Sequence, residues 1–206
     1  MKKIFFGLSL ILFYGCGINN SKAPKDLIDY ELLEVFTDVR DGNSYKTIRI
    51  ENQVWMAENL RFDAGEGSYC YEDNPENCKK GRIYTWATAM NGSSQEGSQG
   101  ICPNGWHIPT SAEWDNLIFV IGGDSMAELL KENGIGFNAT LNGGRMQNPD
   151  GSFEYMRRGT DVCFWTSESD GDFAFDRNLN SFNHIISKRK YPKNYGFCVR
   201  CVKDEV

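Results

Sequence analysis

The chain has 206 residues, with 28 acidic side chains against 22 basic ones and a formal net charge of −6. This acidic balance argues against a nucleic-acid-binding protein, because such proteins meet the phosphate backbone with a basic stripe or patch. Apolar residues make up 40% of the chain and aromatic residues 13%. The sequence therefore predicts one domain with a substantial core.

The first sixteen residues follow the order of a bacterial export signal. Lys2-Lys3 forms a charged start, and residues 4–14 form an apolar run that is too short to span a bilayer. The run ends at Gly15-Cys16, which resembles the lipobox of bacterial lipoproteins. Phe13-Tyr14 departs from that pattern, because both side chains are bulkier than the residues usual there.

This pattern predicts a lipoprotein signal peptide over residues 1–15, with Cys16 as the lipidation site. A cysteine that carries two fatty acyl chains, such as palmitate, is held stably at a membrane. We therefore expect an outer membrane lipoprotein of the bacterial cell envelope, on its surface or periplasmic face. The alternative is an ordinary cleaved signal peptide with Cys16 near the junction by chance. Residues 16–33 are predicted to form a flexible tether, followed by a domain over residues 34–206.

The rest of the chain contains six more cysteines: Cys70, Cys78, Cys102, Cys163, Cys198 and Cys201. Cysteine pairs persist in an oxidising compartment, so an exported protein is expected to join them in three disulfides. Cys70 and Cys78 flank a polar, turn-rich loop, which favours a local bridge between them.

The last two cysteines are expected to bind different partners. Cys198 and Cys201 lie three residues apart in a predicted strand, so their side chains point to opposite faces. Among the pairings that spacing leaves open, we predict Cys102–Cys201 and Cys163–Cys198. The same Cys-x-x-Cys spacing occurs at zinc sites, but those need a second close pair or nearby histidines. No metal site is predicted.

The domain is predicted to begin with extended segments. The β-rich runs 35–40 and 45–50 flank Asp41-Gly42-Asn43, a typical hairpin turn. Residues 53–60 predict a third extended segment, and residues 84–90 a short helix.

Two further helices are indicated by capping residues. Thr110 and Glu113 form a capping box at the start of an apolar-periodic segment. Residues 125–131 predict another short helix, capped by Ser125 and Glu128. The second half of the chain predicts short strands between glycine turns, at residues 137–141, 153–157, 163–167, 173–176, 184–188 and 196–202. Few short helices and many short antiparallel strands indicate an α+β fold.

Several segments together resemble the Fibrobacter succinogenes major paralogous domain: DVRDGNSY and QVWMAENL within residues 38–60, YTWATAM at 84–90, GICPNGWHIPT at 100–110 and VRCV at 199–202. The resemblance covers roughly residues 36–204. It implies an exported, often lipid-anchored protein with a single C-type-lectin-like domain, distantly similar also to formylglycine-generating, sulfatase-modifying folds. It also implies surface adhesion to plant polysaccharide as the expected activity.

The residues within these motifs favour structural roles. Large aromatic side chains among apolar neighbours dominate protein cores, and we expect this of all five tryptophans: Trp55, Trp86, Trp106, Trp114 and Trp165. Glu58 and Asn59 are expected to hydrogen-bond the backbone, and His107 to be a buried hydrogen-bonding histidine. Arg200 is expected to pair with a buried carboxylate, either Glu58 or Glu113.

The sequence singles out no catalytic residue and predicts no cofactor. A Gly-x-Ser-x-Gly nucleophile elbow does not occur in it, and His107 and His184 are its only histidines. Oxygen ligands in residues 147–150, 170–172 and 175–176 leave calcium binding as an alternative. A plain type I turn at Pro149-Asp150-Gly151 explains the first of these loops equally well.

The leading hypothesis is a non-catalytic, lipid-anchored ligand-binding or adhesion module that binds polysaccharide. Five tyrosines in polar surroundings are the candidate ligand contacts: Tyr69, Tyr71, Tyr155, Tyr191 and Tyr195. The alternative is a structural or assembly component of an envelope protein complex. An enzyme related to the formylglycine-generating proteins is the third hypothesis, and it rests on fold analogy alone.

Overall fold

The structure, a computed structural model, describes residues 24–204. Within that range the chain forms an α+β domain of two β-sheets and short helices, as the sequence predicts. The C-type-lectin-like topology stays a prediction. None of the helices in the described range has the length and apolar character needed to cross a membrane.

The strands in chain order are β1 (Tyr30–Thr37), β2 (Ser44–Ile50), β3 (Gln53–Met56), β4 (Ser68–Tyr69), β5 (Ile83–Thr85), β6 (Trp106–His107), β7 (Asn142–Gln147), β8 (Phe153–Arg158), β9 (Asp161–Asp170), β10 (Phe173–Asn180), β11 (Ser187–Pro192), β12 (Gly196–Phe197) and β13 (Val202–Lys203). The helices are α1 (Trp86–Ala89), α2 (Ser111–Val120) and α3 (Ala127–Leu130), with 3-10 turns at Pro24–Leu27, Tyr71–Asp73, Pro75–Lys80 and Asp124–Met126. One sheet has the strand order β1-β2-β3-β13-β6. The other has the order β11-β10-β9-β7-β12-β5-β4, and β8 also pairs with β7.

The predicted hairpin forms from β1 and β2. Gly42 at its turn has a φ of +75°, a left-handed conformation that glycine adopts without steric penalty. β1 begins earlier than the predicted domain boundary at residue 34, because Tyr30 already pairs with Ile50 across the sheet. The last residues of the predicted tether, from Tyr30 onward, therefore belong to the domain.

The helix capping predictions differ in outcome. Thr110 Oγ1 accepts a hydrogen bond from the Glu113 backbone, and the Glu113 carboxylate accepts one from the Thr110 backbone, so the predicted capping box of α2 is confirmed. Ser125 makes no such cap, because it lies inside a 3-10 turn that precedes α3. The Glu128 carboxylate instead binds Lys131 Nζ at 2.5 Å.

Several strands are displaced from their predicted positions. The predicted strand at 137–141 is irregular, and β7 follows it. The predicted strand at 184–188 is shifted to β11. The predicted strand at 196–202 is divided into β12 and β13, because residues 198–201 pass from one sheet to the other.

The interior contains two hydrophobic clusters. The main core includes Trp86, Trp106 and Trp165, and the second core includes Trp55 and Trp114. All five tryptophans are at most 3% exposed, which confirms that they are core residues. In the second core, the rings of Trp55 and Trp114 have centroids 4.9 Å apart and a tilted geometry typical of favourable aromatic pairs.

Two of the three predicted disulfides are present. Cys70–Cys78 closes the local loop between β4 and β5, and Cys102–Cys201 joins residues 99 apart in sequence. The predicted Cys163–Cys198 bridge is wrong, because both residues are buried free thiols.

The geometry around the free thiols explains this error. The Cys198 N–H donates to the Cys163 carbonyl at 2.9 Å, so the two backbones are neighbours. Cys198 lies opposite Phe164, however, and Cys163 alternates to the other face of β9. One thiol therefore packs in the main core and the other in the second core. Burial raises the pKa of Cys198 to about 12.

The prediction of a carboxylate partner for Arg200 is also wrong. Its guanidinium is fully buried and donates to the carbonyls of Phe137 and Asn138 and to Asn59 Oδ1. The group also lies 4.4 Å from the centroid of the Phe137 ring. Burial lowers the pKa of Arg200 to about 9, since these neutral acceptors only partly replace water.

Glu58 and His107 have the expected kind of partner, whereas the prediction of a backbone partner for Asn59 is wrong. The Glu58 carboxylate accepts a hydrogen bond from the Lys46 backbone at 2.7 Å, as predicted. Asn59 instead binds Arg200 through its side-chain oxygen. His107 is mostly buried and makes two hydrogen bonds, to Glu113 and Asp204, both at 2.7 Å.

Candidate ligand-binding site

An arginine between two aromatic rings forms the centre of the candidate site. The Arg145 guanidinium carbon on β7 lies 4.4 Å from the ring centroid of Tyr69 and 4.2 Å from that of Phe153. Such cation–π contacts stabilise the charge on the ring faces. Within residues 24–204 no carboxylate pairs with Arg145, so its N–H edges are available to a ligand.

The sheet places these side chains together through a glycine. Gly196 on β12 pairs with Arg145 and, on its other side, with Thr85. A Cβ atom at Gly196 would come within 2.5 Å of Ile83 Cγ2 and 3.1 Å of Arg145 Cβ. The glycine therefore leaves room for Arg145 to reach Tyr69 over the face of β12.

Tyr155 and Tyr71 extend this face. Their ring centroids are 5.3 Å apart, and the Tyr155 hydroxyl donates to Asp73 Oδ1 at 2.5 Å. Burial and the Asp73 carboxylate both raise the pKa of Tyr155. Tyr71 is only 6% exposed, so it supports the face from beneath and offers little surface to a ligand. The Cys70–Cys78 bridge closes the loop that carries Tyr71 and Asp73.

The other two candidate tyrosines belong to a separate cluster. Tyr191 and Tyr195 stack with ring centroids 5.8 Å apart, and both contact Phe197 of the main core. Phe197 follows Gly196 on β12, so its side chain points to the opposite face of the sheet. The structure therefore brings Tyr69, Tyr71 and Tyr155 together, and separates Tyr191 and Tyr195 from them.

A groove continues from Tyr69 along the surface. It consists of a cavity of about 480 Å³ and a neighbouring one of about 320 Å³, which share Ala64, Asn91 and Ile101. We call these two cavities the Tyr69 groove. Its lining carries hydroxyl, amide and carboxylate groups from Thr85, Thr88, Asn91 and Glu66.

Both ends of the Tyr69 groove have fixed side chains. At the Tyr69 end, the Thr85 and Thr88 hydroxyls bind each other at 2.9 Å. At the far end, Arg40 donates to the Ile101 carbonyl at 3.0 Å and pairs with Asp38. Burial opposes ionisation of Asp38, but the hydrogen bonds from Arg40 outweigh it and lower the pKa of the carboxyl. The groove is therefore largely formed before a ligand binds.

The calcium alternative has little geometric support. The Asp150 carboxylate accepts hydrogen bonds from the Ser152 N–H at 2.9 Å and its hydroxyl at 2.6 Å, and the Gly151 N–H donates to the Asn148 carbonyl. These bonds form a closed turn. Within the part of the chain that the structure describes, no three His, Cys, Asp or Glu side chains cluster as metal ligands would.

Residues 48–203 match the family model described as the Fibrobacter succinogenes major domain. The chain belongs to this family. The matched part begins within β2 and continues to β13, so it includes Tyr69 and Arg145 and all of the Tyr69 groove except Arg40, whereas β1 precedes it. No curated protein and no solved structure matches the chain significantly. The family match therefore identifies the domain but does not indicate its ligand.

Sequence analysis missed Arg145 and Phe153, the two residues that complete the face around Tyr69. Arg145 follows Gly143-Gly144, and such a pair argues against a regular strand when read alone. The available signal was a basic residue directly after two glycines, a few residues before a segment that contains Phe153 and Tyr155. Phe153 was recognised as a strand residue, but spacing does not show which face of the strand it lies on.

Proposed function

We propose that this Fibrobacter succinogenes major domain protein is a lipid-anchored module of the cell envelope that binds polysaccharide without catalysis. The Tyr69 ring carries the proposal, because it both contacts Arg145 and lines the Tyr69 groove. A polysaccharide is long enough to occupy both regions at once.

The chemistry of the site suits a sugar chain. Sugar rings have C–H faces that pack on aromatic rings and hydroxyl edges that exchange hydrogen bonds with polar side chains. Tyr69 and Phe153 supply the rings, and Thr88, Asn91 and Arg145 supply donors and acceptors. An open groove with fixed walls accepts a chain of repeating units without closing over its ends.

The lipid anchor is part of the proposal. Cys16 and the signal peptide lie outside the described residues, and the lipobox resemblance supports them. A fatty-acid analogue supplied to cells is expected to label the full chain and to leave Cys16→Ala unlabelled. Fractionation of the same cells should find the wild type with the outer membrane. Labelling that persists in Cys16→Ala would refute the anchor.

The binding test uses the full chain in detergent on an array of plant and bacterial glycans. Tyr69→Ala should weaken binding to the glycans that the wild type selects by about tenfold, which corresponds to roughly 1.4 kcal/mol. Tyr30→Ala is the matched control, because this partly exposed tyrosine lies on β1. The proposal fails if the wild type binds no glycan, or if both variants lose binding equally.

A role in an envelope protein complex is the second candidate. β1 is an edge strand, and it exposes Leu32 by 63% and Val35 by 60%. An exposed edge with apolar side chains is a template for pairing with another chain. Binding to no glycan, together with co-purification that Leu32→Glu abolishes, would favour this candidate.

The free thiols give little support to the enzyme hypothesis. A reactive cysteine pair near the C-terminus is expected of the formylglycine-generating proteins, but here Cys201 is joined to Cys102. Cys198 is buried, and its raised pKa keeps it protonated at neutral pH.

A further inference from the structure

A second cavity lies between α3 and the start of β7, and it shares no lining residue with the Tyr69 groove. Its volume is about 400 Å³, within the range of small-molecule sites. The lining combines apolar, cationic and acceptor side chains: Lys80, Glu128, Lys131, Glu132, Leu141, Asn142 and Arg158.

The buried wall of the cavity includes an acceptor without a donor. Asn142 is only 1% exposed, and its Nδ2 donates to the Gly81 carbonyl at 2.9 Å. Its Oδ1 has no hydrogen-bond partner among residues 24–204. A buried polar atom in this state is unfavourable. The oxygen exposes less than 1 Å², so a ligand hydroxyl would reach it through a rotation of the Asn142 side chain toward the cavity.

Two unpaired cations at the cavity favour a ligand with a negative charge. Arg158 and Lys80 form no ion pair within the described range, and the Arg158 guanidinium lies 5.3 Å from the Tyr71 ring centroid. Lys131 differs from them, since Glu128 neutralises it at 2.5 Å. Glu132 is the remaining carboxylate, and it is exposed at the cavity.

We infer that this cavity binds a sugar acid, a molecule with one carboxylate and several hydroxyl groups, such as a uronic acid. The carboxylate would pair with Arg158 and Lys80, and hydroxyls would donate to Asn142 Oδ1 and Glu132. Sulfate satisfies the cations but offers no donor to the two acceptors. A neutral sugar satisfies the acceptors but leaves both cations unpaired. Only the combined ligand meets both requirements.

The test measures binding of galacturonate, tri-galacturonate, galactose and sulfate to the full chain in detergent by calorimetry. We expect galacturonate or tri-galacturonate to bind more tightly than galactose and sulfate. Tighter binding of galacturonate would indicate a site for a free sugar acid, and tighter binding of tri-galacturonate a site for a sugar acid within a chain. Arg158→Gln should weaken this binding about tenfold, because a charge-assisted hydrogen bond is lost. Lys80→Gln, at an exposed position that tolerates substitution, should weaken it in the same direction.

Arg157→Gln is the matched control, because it removes the same charge from the adjacent residue, which does not line the cavity. Equal losses in the Arg157 and Arg158 variants would overturn the inference. Equal binding of galacturonate and galactose, or sulfate binding as tight as that of galacturonate, would do the same. The inference is independent of the Tyr69 groove, so Tyr69→Ala should retain galacturonate binding even if the glycan array finds no ligand.

Discussion

Asp176 has a carboxylate that is fully buried, and neither of its oxygens has a hydrogen-bond partner among residues 24–204. Burial raises the pKa of Asp176 to about 6. The Cys163 thiol and the charges of Arg189 and Arg177 favour the ionised form, but together they do not offset the effect of burial. The residue is therefore poorly accommodated at neutral pH, where it must ionise in an apolar environment or retain a proton.

Asp176→Asn should increase the free energy of unfolding at pH 7.5. Because the folded-state pKa of about 6 lies above the ordinary value of 3.8, the folded state binds more protons between these values. Asp176 therefore lowers stability as the pH rises from about 4 to about 6, by an amount on the order of 3 kcal/mol. Urea unfolding of the wild type and the variant at pH 4.5 and 7.5 measures this difference.

Asp172→Asn is the control for Asp176→Asn, because it removes an exposed carboxylate from the preceding turn. It should leave the pH dependence of unfolding as in the wild type. If Asp176→Asn is less stable than the wild type at pH 7.5 and retains the same pH dependence, the prediction is wrong and a partner stabilises the Asp176 carboxylate.

At the scale of elements, the sequence predicted features that neighbouring residues determine, and it did not predict features that depend on pairing between distant strands. The start of α2 was predictable because Thr110 and Glu113 are three residues apart and cap each other. β7 was not, because its glycine-rich sequence becomes a strand only through pairing with β8, β9 and β12. The error at Cys163 has the same origin, since spacing gives the distance along the chain and not the face on which a thiol lies.

His107 connects three elements. It lies on β6 and binds Glu113 in the first turn of α2 and Asp204 directly after β13. Burial alone would lower the pKa of His107, but the hydrogen bonds to the two carboxylates outweigh it and raise the pKa above 6.5. Burial likewise opposes ionisation of Glu113, yet its bonds to His107 and Thr110 lower the pKa of that carboxyl.

His107→Gln should destabilise the protein more at pH 6 than at pH 9. The raised pKa means that the ion pairs contribute fully below about 6.5 and are lost as the pH rises through the folded-state value. Thermal unfolding at the two pH values measures the effect, with His184→Gln as the control because that histidine is exposed. A destabilisation of His107→Gln that is the same at both pH values would contradict the ion-pair explanation.

At the scale of the whole molecule, residues 198–201 join the two sheets. Leu60 N donates to the Val199 carbonyl at 2.9 Å, and Met56 N to the Cys201 carbonyl at 3.0 Å, as the chain passes from β12 to β13. The long disulfide holds this crossing to Cys102 in the main core. The short disulfide, by contrast, positions one surface loop beneath the candidate site.

These positions predict unequal consequences for the two bridges. In the chain-entropy description, a bridge across 99 residues contributes about 5 kcal/mol and one across 8 residues about 2.5 kcal/mol. Cys102→Ala with Cys201→Ala should therefore lower the free energy of unfolding more than Cys70→Ala with Cys78→Ala. The second pair of substitutions should instead weaken glycan binding, because the loop with Tyr71 and Asp73 is released from the face around Arg145.

Urea unfolding and the glycan array separate these effects, and peptide mapping without reduction provides the control. Mapping should find Cys163 and Cys198 as free thiols in the wild type, since they pack in different cores. A third bridge in the map, or a larger stability loss from opening the short loop, would contradict this account. The larger loss from the short loop would mean that the surface loop stabilises the fold more than the crossing between the sheets does.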